Sequence, residues 1–314
     1  MTEVAPAAAD PTEPRVRVIG EALIDIIVTA DGSVAEHVGG SPANVAIGLS
    51  RLGHSTELTT WIGPDPRGRR IAALMRAEGV RLAPESTNAA QTSTARANLD
   101  ATGAAHYTFE LSWAPPVLVG KAPLGHVHTG SIAATITPGA DHVLDAVRAV
   151  RPTATVSYDP NVRPSLMGSP DAVRQRVETL VGLADVVKAS DEDLAWLYPG
   201  VPVAEVLSNW ASLGPAICAA TQGADAVLVE VAREQRSCPT CPTTVADTVG
   251  AGDSFMAGLI SGLLDLGLLG GADARRRLAG TRIDQVSSAI DLALACAAIT
   301  VSRAGANPPV RAEL

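Results

Sequence analysis

Short β-branched runs separated by helix-length segments recur along most of this chain, and that rhythm restricts its fold more than any other feature. Residues 15–19 read as a strand ending at Gly20, and residues 23–29 as another. Residues 41–52 have the pattern of a helix, with Ser41 as N-cap, Pro42 in the first turn, apolar Val45, Ala46, Leu49 and Leu52, and Gly53 as the stop. A strand at 58–62 and a helix at 68–78, closed by Gly79, follow. Farther along, strands at 126–129 and 155–158 flank a helix at 140–150. A strand at 184–188 leads to a helix near 191–197, then come strands at 217–221 and 226–231 and helices at 251–264 and 283–301. Alternation of this kind means βαβ units, hence an α/β fold with a mostly parallel central sheet flanked by helices.

Residues 92–110 break the rhythm. They are rich in Thr, Ala and aromatics and contain the turn Asp100-Ala101-Thr102-Gly103, a hairpin signal with no helix between its strands. Residues 26–38 fit the alternation equally badly, so both segments point to a small β-layer attached to the α/β body. A chain of 314 residues is long enough for two domains or for one large α/β domain. Hydrophobic residues at 46% and charged residues at 18% exclude a disordered chain and a coiled coil. There is no internal repeat and no low-complexity linker.

Charge narrows the partners. With 24 Lys+Arg against 33 Asp+Glu the net charge is -9, and no basic run is longer than Arg275-Arg276-Arg277. That argues against nucleic acid and anionic membranes as partners. The apolar stretches 255–264 and 292–301 are each too short to span a bilayer. Residues 1–14 lack the basic start and apolar stretch of a secretory signal and read as a disordered tail, which leaves the cytoplasm as the expected location. Cys238-Pro-Thr-Cys241 has neither a second CxxC nor a nearby His to complete a zinc site, so Cys218, Cys238, Cys241 and Cys296 are expected to be reduced, with the CxxC in a loop before a strand. The histidines at 37, 54, 106, 126, 128 and 142 form no metal spacing, and His126-Val127-His128 reads as a structural pair on a strand. Only Lys121 and Lys188 are lysines, so an anionic ligand must be held mainly by arginine, backbone N–H groups or a metal ion.

The strongest chemical signal is Asp247-Thr248-Val249-Gly250-Ala251-Gly252-Asp253-Ser254-Phe255. Small residues follow a strand and open a helix, so backbone N–H groups and the helix N-terminus converge into an anion hole. A carboxylate at that place, Asp253, suits a general base that takes a proton from an attacking hydroxyl; a mere helix cap is the alternative reading. GxxxxGK[ST] is absent, as is GxGxxG after a strand, so neither a P-loop NTPase nor a dinucleotide-binding fold is supported.

The segment 247–253 resembles the DTxGAGD signature of the ribokinase-like (PfkB) carbohydrate kinases. Five further blocks occur in order: Gly20-Glu21-Ala22-Leu23-Ile24-Asp25, Gly39-Gly40-Ser41-Pro42-Ala43-Asn44-Val45-Ala46, Gly63-Pro64-Asp65-Pro66-Arg67-Gly68, Asp159-Pro160-Asn161-Val162-Arg163 (most familiar in fructokinase-like members) and Ser302-Arg303-Ala304-Gly305-Ala306. The resemblance implies one ribokinase-like α/β domain over 15–310 with a β-sheet lid formed by about 26–38 and 92–112. It implies transfer of the ATP γ-phosphoryl group to a sugar hydroxyl, with Asp253 as base and the N–H groups of Gly250, Ala251 and Gly252 stabilising the transferring group. Magnesium would travel with ATP.

For the sugar, the resemblance points to Asp25, Gly39, Gly40 and Asn44, and Arg163 is the cationic candidate near an anion. Arg96 and Asn98 are expected to face inward with Thr94 on one strand of the lid. For ATP, Thr221-Gln222-Gly223 resembles the nucleotide loop, with Asp225-Ala226 where a later glycine is usual. In the segment beginning at Lys188, Ser190 and Asp193 stand where the family has Asn and Glu. Asp247, Val249, Arg303 and Gly305 sit where carbonyl ligands of a monovalent cation such as potassium would lie. Fructose is the expected acceptor. Phe109-Glu110-Leu111-Ser112-Trp113-Ala114 lacks the arginine and Ala-Asp pair common in fructokinases, which keeps open a nucleoside, with Trp113 or Tyr107 stacking on a base, or another sugar or sugar acid. A non-catalytic sugar-binding regulatory protein is the alternative of a different class. An exposed lid edge favours a homodimer through the lid.

Overall fold

The computed structural model describes residues 16–99, 105–115 and 125–314. The expected tail at 1–14 and the tip of the hairpin lie outside them. Strands β1 (Val16–Ile19), β2 (Leu23–Val28), β3 (Val34–Gly39), β4 (Thr56–Thr59), β5 (Arg81–Leu82), β6 (Thr94–Leu99) and β7 (Ala105–Glu110) make up the N-terminal half. Strands β8 (His126–Gly130), β9 (Thr155–Asp159), β10 (Val186–Ser190), β11 (Ile217–Gln222), β12 (Ala226–Val231) and β13 (Glu234–Pro239) follow. The helices are α1 (Ser41–Arg51), α2 (Pro66–Ala77), α3 (Gly139–Val150), α4 (Pro164–Met167), α5 (Pro170–Leu183), α6 (Asp191–Leu197), α7 (Val203–Leu213), α8 (Ala251–Asp265), α9 (Ala272–Ala279) and α10 (Ser287–Val301).

Nine strands form the large sheet in the order β13-β12-β11-β10-β9-β8-β1-β4-β5. It is parallel except at β12 and β13, which run antiparallel. Every residue of β1, β8 and β9 is buried, as expected where helices cover both faces. Chain order reverses between β1 and β8, and a cleft opens beyond the carboxyl ends of strands at such a reversal. A separate four-stranded sheet, β3-β2-β6-β7, rises from the end of β1. It contains the two segments that disturbed the alternation, and it extends the expected lid back to Leu23.

Several boundaries and elements differ from the sequence reading. The strand expected at 58–62 is Thr56–Thr59. The helix at 68–78 starts earlier, at Pro66, capped by Asp65, whose side chain accepts from Gly68 N. Helix α5 carries the start signals Ser169 and Pro170, with Ser169 accepting from Ala172 N; it, α7 and α9 were not anticipated. Strand β13 also escaped, since Glu234-Gln235-Arg236-Ser237 has no β-branched residue and is held by backbone pairing to β12 at the sheet edge. Cys238 therefore ends a strand and does not precede one; all four cysteines are free.

Helix α8 is buried from Ser254 to Leu263. It touches α10 so closely that a Cβ on Gly258 would lie 2.7 Å from Ala293 Cα, and one on Gly262 would lie 2.6 Å from Ala289 Cα. Ser254 Oγ donates to Cys296 O (3.0 Å) and accepts from Thr300 Oγ1 (2.7 Å) across the same contact. Together with the turn before α10, residues Ile283–Val301 are long and apolar enough to cross a bilayer by length and composition, longer than the sequence reading allowed. Their burial against α8, with Ala289, Ile290, Ala293, Leu294 and Cys296 all in the interior, marks a core helix.

The paired histidines of β8 are structural, as expected. His126 meets Thr155 Oγ1 and Ser157 Oγ, each at 2.9 Å, and His128 meets the same Ser157 Oγ at 2.9 Å. Burial pushes both rings below their ordinary value of 6.5, His128 to about 3. The unfolded chain therefore takes up protons first, so stability is lost as pH falls below about 6.5; for His128 the loss runs toward pH 3 at roughly 1 kcal/mol per pH unit, and His126 adds to it in the same direction. Calorimetric melting between pH 7.5 and 4.5 should show this decline, and His128→Asn should flatten it; an unchanged slope in that variant would refute the assignment.

Candidate active site

The carboxyl ends of β1, β8, β9, β10 and β11 and one face of the small sheet enclose a cleft of about 1750 Å³. At its floor is the anion corner. Gly250 caps α8 at φ 77, a left-handed conformation that suits glycine, and a Cβ there would lie 2.6 Å from Ala306 Cβ. No side chain caps α8. The corner is stapled by Asp247, whose carboxylate accepts from Val249 N (3.0 Å) and Gly305 N (2.8 Å), and these donors hold it below the usual carboxylate range. Ala251 N donates to Thr248 O (3.3 Å), so of the three N–H groups expected to meet an anion this one is partly committed to the turn.

Asp253 lies in the first turn of α8. Its carboxylate is gripped by α1: Ser41 Oγ donates to Oδ1 at 2.6 Å and Asn44 Nδ2 donates to Oδ2 at 2.8 Å. Ser41 is thus not the N-cap of α1; Gly40 holds that position, and Ser41 is the first helical residue. The amide expected to face sugar is bonded to Asp253.

Behind Gly252 lies a buried ion pair. Lys188 Nζ is 2.7 Å from Asp159 Oδ2, with both side chains at most 4% exposed, and a Cβ on Gly252 would lie 3.0 Å from the ammonium. Burial lowers the Lys188 value, but Asp159, Asp193 and Asp253 raise it and outweigh burial, so the ammonium stays charged. Asp193 is a buried group that accepts from Ser190 N (2.9 Å) and Val162 N (2.9 Å), completing a capping box on α6 with Ser190. Thr221 and Gly223 (φ 57) line the far end of the cleft, beside Thr240 and Cys241.

At the other end, Asp25 projects toward Gly39, where a Cβ would come 1.9 Å from its Oδ2; a Cβ on Gly40 (φ 109) would come 2.4 Å from Glu21 O. Any side chain at 39 or 40 would fill this corner. Burial raises the Asp25 value, with Arg163 and His37 opposing. Glu21, which accepts from Ala133 N (3.2 Å), is pushed up to about 7 by burial despite Ser131 and Arg163. It went unnoticed as a site residue because only the fold brings it to the cleft. Arg163 also lines the cleft, its guanidinium donating to Asn161 Oδ1 (2.8 Å).

Other expected residues fall elsewhere. The register Asp25↔Ala95 and Ala95↔Phe109 places Ala95, Ala97, Tyr107 and Phe109 on the cleft face. Arg96 and Asn98 point to the opposite face, where they bond each other at 3.2 Å. A one-residue error in register reverses every side chain of a strand. Trp113 is buried away from the cleft, donating to Ala133 O (2.9 Å), whereas Tyr107 stacks on Phe109 at the cleft, 5.9 Å between centroids. Asp247, Val249 and Gly305 line the cleft; Arg303 does not, and its side chain pairs with Glu313. Among the described residues no group of three His, Cys, Asp or Glu could cage a metal.

The family model for pfkB family carbohydrate kinases matches residues 13–313. The fructokinase of Klebsiella pneumoniae is 32% identical over 81% of this chain and 86% of its own length. That of Escherichia coli is 30% identical over 96% of this chain and 98% of its own. Among solved structures, fructokinase from Xylella fastidiosa superposes with a TM-score of 0.81 at 26% identity, covering 95% of this chain and 96% of that one. A double mutant of Vibrio cholerae O395 fructokinase, solved with fructose, ADP and potassium bound, gives 0.77 at 26% identity, covering 95% of each.

The crowded, left-handed corner makes one sharp expectation. Gly250→Ala should weaken ATP binding at least ~10-fold, since ~1.4 kcal/mol of backbone strain already corresponds to that factor. Titration calorimetry with ATP checks it; unchanged affinity would remove the corner from the phosphate site.

Proposed function

The chain belongs to the pfkB family of carbohydrate kinases, and we propose that it is a fructokinase, moving the γ-phosphoryl group of ATP to a hydroxyl of fructose. It is a phosphotransferase acting on a sugar hydroxyl. The observation that carries the finer reading is Asp253, a carboxylate at the N-terminus of a buried helix, facing a cleft whose other end is lined by Asp25, Gly39 and Gly40. The curated relatives that are fructokinases, matched over most of their length, supply the acceptor.

In this reading Asp253 accepts the proton of the attacking hydroxyl while the α8 N-terminus and Lys188 hold the phosphoryl oxygens. Asp25 accepts hydrogen bonds from sugar hydroxyls, and Asn44 exchanges its bond to Asp253 for one to the acceptor. Arg163 faces the anionic end of the reaction. Thr221 and Gly223 border the nucleotide. When bound with ATP, magnesium neutralises phosphate charge. The scattered carboxylates would suit an ion that arrives with nucleotide and keeps most of its waters; Asp193, whose two oxygens already accept from Val162 N and Ser190 N, would act on it only from a distance. The reading further includes a monovalent cation held by backbone carbonyls beside Asp247, Val249 and Gly305, a cytoplasmic location, consistent with four unpaired cysteines, and a homodimer through the small sheet, whose outer strands β3 and β7 each have a single neighbour.

Phosphorylation of fructose, ribose, adenosine and a sugar acid, each with ATP, tests the acceptor; fructose should give the highest kcat/KM, and a preference for adenosine would install the nucleoside alternative. Asp253→Asn should keep fructose affinity nearly intact and lower turnover by ~10²–10⁴. Binding without transfer in the native protein would favour the non-catalytic reading. Replacing potassium by a large organic cation should lower activity, and no response would sink the cation site.

A further inference from the structure

The hydroxyl of Ser41 has no use in the roles already described. A serine at a helix start ordinarily turns its oxygen back to accept from an N–H two or three residues on. Here α1 has no side-chain cap, and the hydroxyl instead donates outward to Asp253 Oδ1 at 2.6 Å, 212 residues away in the chain. Ser41 is 8% exposed, and the bond lies part-buried at the wall of the cleft. The other oxygen, Oδ2, is the one bonded to Asn44. Ser41 is also tied to the small sheet, because only Gly40 separates it from the end of β3 at Gly39. Gly40 is closely packed there: a Cβ on it would lie 2.4 Å from Glu21 O, so no residue with a side chain fits between the sheet and Ser41 without a shift.

We infer that Ser41 is a positioning residue for the catalytic carboxylate: its hydroxyl fixes the orientation of Asp253 by holding Oδ1, so that Oδ2, on the side of Asn44, receives the proton of the acceptor. The inference rests on the kinase reading. In the step, the acceptor O–H bond breaks and an Oδ2–H bond forms. The oxygen's electron pair forms the new P–O bond, the bond from the γ-phosphorus to ADP breaks, its electron pair leaves with ADP, and the proton later passes to water. Ser41 does not touch substrate. It removes the rotational search of the base before the acceptor arrives.

A residue that merely packs would change stability, whereas a donor to a carboxylate also changes how readily that carboxylate is protonated. The test compares the native protein with Ser41→Ala and Ser41→Thr in three measurements: melting temperature, the pH profile of kcat and KM for fructose, and a ¹³C carboxyl NMR titration of Asp253. For Ser41→Ala we expect kcat to fall ~10- to 100-fold, KM for fructose to stay within ~3-fold, and the acidic limb of the profile to move to higher pH. Ser41→Thr, which keeps the hydroxyl, should retain the native limb. An unshifted limb in Ser41→Ala overturns the inference, however much activity is lost. If the native protein phosphorylates none of the acceptors, the kinase reading fails, and the NMR titration then decides alone: a higher midpoint in Ser41→Ala upholds the positioning contact, and an unchanged one overturns it.

Discussion

The contact between α8 and α10 is the constraint on which the site depends. Gly258 and Gly262 let two helix backbones approach until there is no room for a methyl group, and Ser254, Thr300 and Cys296 O lock them in register. A helix held this way along its buried length cannot roll, so its first turn emerges at one place and with one orientation. That turn carries the anion corner and Asp253. The proposed chemistry would thus be aimed by packing in the core, and the loops around it need only complete what the helix directs.

Electrostatics follow the same economy. In the proposed reading, a chain of net charge -9 binds a highly charged anion by very local means. Lys188, the single lysine among the described residues, lies inside the protein between Asp159 and the α8 N-terminus. A positive group next to the positive end of a helix is unfavourable alone and becomes favourable when an anion occupies the space between them. The carboxylates of Asp159 and Asp193 stabilise the ammonium against the cost of its burial. Net charge therefore says little about this site, whereas the placement of one ammonium says much.

Much of this architecture was legible in the chain. The alternation of strands and helices reported a parallel sheet, and the stretch that broke it is the small sheet. The glycine corner was legible because backbone conformation restricts residue type so strongly. What stayed hidden was relation across the fold. Nothing near Ser41 says that its hydroxyl meets a carboxylate 212 residues later. Arg96 and Asn98 alternate with Ala95 and Ala97, and alternation tells which residues share a face but not which face meets the cleft. Trp113 looked like a stacking platform because an indole serves a ligand or a core equally well. Strand β13 was unreadable for a different reason: backbone pairing to β12 holds it, and its side chains carry no pattern.

The cleft face of the small sheet has a consequence for descent. Ala95 and Ala97 line the cleft from the small sheet, while Asp253, the glycine corner and the buried lysine belong to the other layer. In the proposed reading, acceptor size would be set by residues that take no part in phosphoryl transfer. Exchange of a methyl for a larger side chain on β6 would make the chamber shallower without disturbing a reacting atom. A lineage built on this plan can drift from one acceptor to another by small steps in one sheet, keeping its chemistry intact throughout.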